Sequence, residues 1–153
     1  MSKPAGITAE TGTGLSRPHV IVYTITAVLA ALGIGETTYL TASHLAGANV
    51  VCVASSGCSE VLRSVYASVG GIPLAAIGAL GYFAAFSTAI LAAFGYRRAP
   101  DALAIIVGLM FLTTLWLLYV QAFLLHAFCD YCLLSAALVF LLAGLIIAVP
   151  RRS

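Results

Sequence analysis

The sequence predicts an all-α membrane protein, a bundle of four transmembrane helices, and three observations predict it. Hydrophobic residues make up 62% of the 153-residue chain and charged residues 8%, with a mean hydropathy of +1.10. A soluble domain carries about 25% charged residues, so this chain has too few to coat a water-facing globule, and lipid must cover much of it. The apolar residues also gather into runs of spanning length, roughly 20 residues for about 30 Å of hydrocarbon. The charges fall between those runs. Seven Lys+Arg against five Asp+Glu leave a net charge of +2, which excludes a strongly basic nucleic-acid binder and an acidic disordered chain alike.

Residues 1–18 are rich in Gly, Thr, Ser and Pro and read as a disordered cytoplasmic tail, with the membrane domain over 19–150. A cleaved signal peptide over Met1–Ala31 is the rival, disfavoured by a long apolar run and by Gly33-Ile34-Gly35-Glu36, a poor cleavage site. From His19 to Leu45 the only full charge is Glu36, which places span one at about 20–40. A polar stretch with Glu60 and Arg63 follows, from Ala46 to Gly71. Span two, about 72–93, opens with Pro73, whose missing N–H suits a first helical turn. Tyr96-Arg97-Arg98-Ala99-Pro100-Asp101 is a clean break. From Ala102 to Val149 only Asp130 is charged, a run that fits spans at about 102–124 and 129–149 with a turn near His126–Tyr131.

Basic residues set the orientation. With four spans, both termini share a side with Arg97 and Arg98; that side collects Lys3, Arg17, Arg97, Arg98, Arg151 and Arg152, and the other has Arg63 alone. The termini are therefore expected in the cytoplasm, and the Ala46–Gly71 loop and the turn before Cys129 outside. In a bacterial inner (cell) membrane the outer face is oxidising, and disulfides persist there.

All four cysteines fall on that outer side. Cys52 and Cys58 frame a flexible loop that leads into a short helix over Ser59–Tyr66, with Ser56 or Ser59 as N-cap. Cys129-Asp130-Tyr131-Cys132 is a C-x-x-C at the head of span four. So tight a loop constrains little of the unfolded chain, and a helix N-terminus stabilises thiolate, while Asp130 opposes it. A movable pair beside a fixed pair suits a thiol–disulfide relay, which needs sulfur-to-sulfur contact. The alternatives are structural clips in a non-enzymatic channel or assembly subunit, and a structural Cys₄ zinc site.

These residues carry a resemblance. The run from Cys52 through Cys58-Ser59-Glu60-Val61-Leu62-Arg63-Ser64-Val65-Tyr66, then Gly71-Ile72-Pro73-Leu74-Ala75-Ala76-Ile77-Gly78, then Cys129-Asp130-Tyr131-Cys132, resembles the vitamin K epoxide reductase family in its bacterial form. The DsbB family also joins four helices, four cysteines and a quinone, but its C-x-x-C lies in the first outer loop. The resemblance implies a four-helix bundle holding a quinone (menaquinone, ubiquinone or a relative), capped by the outward loop and its half-helix. It implies that Cys129 and Cys132 are the active pair with Cys132 facing the quinone, that Cys58 attacks Cys129, and that Cys52 exchanges with a thioredoxin-like or DsbA-like protein. Ser64 matches a family serine or threonine beside the site. Animal members position the naphthoquinone with an Asn and a Tyr where Leu74 and Ala136 stand here, which favours quinone-linked disulfide formation over epoxide reduction. Some bacterial relatives carry a fused thioredoxin-like domain; this chain stops at Ser153, so a separate partner is expected.

Four further polar residues lie in or beside the apolar segments. Glu36 is read as snorkelling to the interface or serving a proton or packing role. His126 and His44 are read as interfacial, with thiolate stabilisation or proton transfer as the sharper role for His126. Gln121 is read as an interhelical hydrogen-bonding group or a donor to a quinone oxygen.

Overall fold

The computed structural model describes residues 17–149. Four of its helices are long and apolar enough to cross a membrane. They are α1 (Arg17–Leu45), α3 (Leu74–Ala93), α4 (Ala99–Tyr119, continued by a π-helical turn over Val120–Leu125) and α5 (Asp130–Ala148). A short α2 (Cys58–Arg63) sits in the first long loop. The fold is the expected all-α membrane bundle.

Several boundaries differ from the sequence-based expectation, each for a local reason. Helix α1 begins at Arg17, so Arg17 and Pro18 are helical, as a proline in the first turn permits; the rest of the proposed tail lies outside the described residues. It also runs five residues past Leu40, because nothing in Thr41–Leu45 breaks a helix. Pro73 caps α3 instead of opening it, because Ile72–Pro73 pairs with Ser68–Val69 as a two-residue antiparallel hairpin. Gly70 and Gly71 make its turn with φ of 58° and 84°, the double positive φ that a two-residue hairpin turn requires. Pro100 lies in the first turn of α4.

The helices pack on small residues. Ala27 and Ala30 of α1 and Ala85, Ala89 and Ala92 of α3 are buried together with Leu103, Val107, Val139 and Leu142. Without a hydrophobic force between helices in lipid, close backbone approach over such residues supplies the packing. Buried hydroxyls are satisfied within their own helix: Thr26 donates to the Val22 carbonyl at 2.8 Å and Thr37 to the Gly33 carbonyl at 2.6 Å. Trp116, Tyr119 and Phe123 form an exposed aromatic ladder on α4, with centroids 5.9 and 5.0 Å apart. Exposure on a bundle this apolar assigns them to lipid.

Candidate active site

The loop-bearing end of the bundle gathers every cysteine. Cys52 and Cys58 form a disulfide with Cα atoms 5.7 Å apart, and Cys129 and Cys132 are free thiols. Cys58 and Cys129 are 1% and 0% exposed and pack in one cluster with Val61 and Ala127, against which Cys52 and Cys132 lie partly buried. The two pairs, some 70 residues apart in the chain, thus share one sulfur-rich core. Among the described residues the ligand atoms of Cys52, Cys58 and Asp130 lie within 4.8 Å of one another, and the two cysteines of that group are joined in the loop disulfide.

Three contacts hold the loop to the head of α5. The Asp130 carboxylate accepts from the backbone N–H groups of Ala54 at 2.6 Å and Ser55 at 3.1 Å. The Ser55 hydroxyl donates to the Phe128 carbonyl at 2.7 Å. Gly57 passes so near that a Cβ there would stand 2.7 Å from the Phe128 carbonyl oxygen, backbone that cannot swing aside. Neither Ser56 nor Ser59 caps α2: the helix starts at Cys58, Gly57 occupies the cap position, and no side chain bonds there. The contact with Phe128 explains the shift, since only a residue without a side chain fits at that approach.

The turn before Cys129 is built by the π-helical end of α4. A π-turn inserts an extra residue into a helix and recurs at functional sites. Here it is followed by His126 in the left-handed region, φ 49°, which reverses the chain. His126 is exposed. Gln121 is 2% exposed, and its Oε1 accepts the Cys129 backbone N–H at 3.1 Å. The bond ties the π-turn of α4 to the residue that precedes α5. At the head of α5, the Cys132 thiol and the N–H groups of Tyr131 and Cys132 donate to the Cys129 sulfur; together they outweigh burial and hold its pKa down to about 7.

Below the cysteines a cavity of about 530 Å³ opens among α1, α3, α4 and α5. Its walls are mainly apolar, with Leu74, Met110, Ala136 and Val139 among them, and Cys132, Gln121 and Ser64 are on its lining. Ser64 donates to the Val61 carbonyl at 2.7 Å and ends α2. Glu36 does not snorkel. It lies nine residues before the end of α1, and both carboxylate oxygens are buried.

A family model described as "Vitamin K epoxide reductase family" matches residues 24–147, most of the chain and all four cysteines. This chain belongs to the vitamin K epoxide reductase family. The family is one of membrane oxidoreductases, and the matched span runs from the first turns of α1 almost to the end of α5. The C-x-x-C and the loop pair were found from spacing and resemblance. The supporting roles of Asp130, Gly57 and Gln121 were not, because each acts on backbone that only the fold brings near.

Proposed function

We propose that this vitamin K epoxide reductase family chain is a quinone-dependent thiol/disulfide oxidoreductase. It reoxidises a separate thioredoxin-like or DsbA-like protein and passes the electrons to a membrane quinone. It thereby supports disulfide formation in proteins exported across a bacterial inner membrane, with the cysteines on the outer face. The observation that carries this reading is the continuous sulfur path: Cys52 partly exposed, Cys58 buried against Cys129, and Cys132 on the wall of the apolar cavity.

The cavity fits a quinone on its own features. Its apolar walls suit a hydrophobic ring and tail, and it has a thiol on its lining. Leu74 and Ala136 line it, so the places where animal members orient a naphthoquinone are apolar here, in keeping with electron acceptance and not epoxide reduction. A bound quinone supplies an acceptor for two electrons and two protons. Everything else falls to the chain. A partner thiol attacks Cys52 and opens the Cys52–Cys58 disulfide, and the partner's second thiol then displaces Cys52, so the partner leaves as a disulfide and the loop pair is left as thiols. Cys58 thiolate then attacks Cys129 of an inner disulfide and releases Cys132, and Cys52 resolves the mixed disulfide. This returns the loop pair to a disulfide and leaves Cys129 and Cys132 as thiols, the distribution seen here. The hydrogen bonds converging on the Cys129 sulfur stabilise its thiolate, and Gln121 fixes the Cys129 backbone for attack. Ser64 lines the cavity at the end of α2, and its hydroxyl would reach a quinone oxygen by leaving the Val61 carbonyl.

The test is reduction of a short-chain quinone by dithiothreitol, followed by the loss of quinone absorbance. The detergent-solubilised protein is expected to turn over repeatedly, and Cys132→Ala not at all. Reduced cysteines that stay reduced when quinone is added would identify the disulfide as a structural clip.

A further inference from the structure

Both carboxylate oxygens of Glu36 are buried, and neither has a hydrogen-bond partner among the described residues. An ionisable side chain inside a spanning helix is costly and is retained for function or for a partner. Glu36 lies nine residues before the end of α1 with its carboxylate oxygens enclosed by the protein, so exposure at the interface does not account for it.

The groups that face it narrow its use. From α3, Tyr82 interacts with it electrostatically, but the Tyr82 hydroxyl is taken by Ser135, 3.0 Å from the carbonyl and 2.9 Å from Oγ. On α1 itself the Thr37 hydroxyl is committed to the Gly33 carbonyl, and the Tyr39 ring lies against Tyr131. From the head of α5, the Tyr131 ring packs on Tyr39, one turn along α1 from Glu36, with centroids 5.7 Å apart, and this sets Cys129 and Cys132 within electrostatic reach of the carboxyl. Neighbouring hydroxyl protons are spoken for, and the thiol protons of the inner pair are the ones that must move in the reaction. Cys132 is on the cavity lining and Glu36 is not, so the carboxyl is set apart from the apolar space that Cys132 faces.

We propose that Glu36 is the proton acceptor of the inner pair, taking the proton of Cys132 as the pair is oxidised and returning it to the reduced quinone. The inference rests on the quinone-linked reading above. In the balanced step the Cys132 S–H bond breaks and the Cys132 sulfur joins the Cys129 thiolate in the Cys129–Cys132 bond. The electron pair reduces the quinone to the hydroquinone, whose two oxygens receive the Cys132 proton by way of Glu36 and a second proton from water, which replaces the one Cys129 gave up on becoming a thiolate. Glu36 ends the cycle as it began.

A quinone-free measurement tests this directly. In a Cys52→Ser, Cys58→Ser background only the inner pair changes redox state, so the oxidised-minus-reduced infrared spectrum, with dithiothreitol as reductant, isolates its partners. The expected result is a carboxyl C=O band that changes with the pair and disappears in Glu36→Gln. In the four-cysteine protein, Glu36→Gln should also slow reduction of a short-chain quinone by about 100-fold, the scale of a positioned proton-transfer group. No redox-linked band, or one that persists in Glu36→Gln, overturns the proposal. Should Glu36→Gln not fold, Glu36→Asp decides it by moving the band or leaving it in place. Wild-type protein that shows the band yet reduces no quinone would retain the proton coupling and refute the acceptor.

Discussion

Cys129 is the residue on which the site's electrostatics converge. It precedes the first residue of α5, and its sulfur accepts from the Cys132 thiol and from two backbone N–H groups. Because the lowered value belongs to an acid, the thiolate is present above pH about 7 and is lost as pH falls through it. Ultraviolet thiolate absorbance of the reduced inner pair should therefore titrate near pH 7, and Cys132→Ala, which removes the largest donor, should move the midpoint upward. A midpoint unmoved by Cys132→Ala would show that the backbone donors alone suffice. The roles of the pairs separate by substrate size. Cys129→Ala or Cys132→Ala should abolish quinone reduction with every donor. Cys52→Ala or Cys58→Ala should abolish oxidation of a protein partner and spare part of the dithiothreitol activity, measured in the same assay. At this scale the cysteines were legible, because C-x-x-C at a helix start is a local signal. Asp130 was legible only as a charge beside thiols; its bonds to Ala54 and Ser55 span some 75 residues of chain, which no local pattern encodes. Glu36 was visible as a lone intramembrane charge, but not the burial that removes the snorkelling option.

The loop and half-helix form the element that must meet α5 for electrons to pass. A disulfide needs Cα atoms within about 7 Å, and Cys58 and Cys129 are buried in one cluster that brings their two segments together. In Cys52→Ala, Cys132→Ala protein the two remaining thiols should oxidise to a Cys58–Cys129 bond, seen as a cross-linked peptide by non-reducing mass spectrometry. The complementary Cys52–Cys132 pair should form poorly, since Cys132 lies on the cavity wall. Adding Gly57→Ala to the trapping variant should slow the bond severalfold or more, because its Cβ meets backbone at 2.7 Å. Asp130→Ala should do the same by freeing Ala54 and Ser55. Undiminished cross-linking in both would mean that the loop is held by other contacts. The spans were legible as elements because hydropathy is additive along the chain. The π-turn at Val120–Leu125 was not, because its residues read equally well as helix; the hairpin at Ser68–Pro73 was not, because strands of two residues are too short to show an alternating pattern beside the Gly70-Gly71 turn signal.

For the molecule as a whole, function depends on which end faces the oxidising compartment. The antiparallel order of α1, α3, α4 and α5 puts the Arg97–Arg98 turn at the end opposite the cysteines. Arg63, the one Lys or Arg at the cysteine end among the described residues, donates to the Asn49 side chain at 2.6 Å and ties α2 to the preceding loop. Its position thus has a structural cause independent of topology. Positive charge within reach of the spans sets orientation during insertion, and the sequence carries six Lys and Arg on the side of the termini against this one. Both termini and the Arg97–Arg98 turn are therefore expected in the cytoplasm, with the loop disulfide and the C-x-x-C outside. After mild reduction of intact cells, a membrane-impermeant maleimide should label Cys52 before any other cysteine, because it is the partly exposed member of the loop pair. Reversing the charge bias, with Arg97→Glu and Arg98→Glu, should lower that labelling by favouring the inverted insertion. Labelling that requires permeabilisation in the wild-type chain would place the relay in the reducing compartment, where its loop disulfide would not persist, and would remove the exported partner from the proposed cycle.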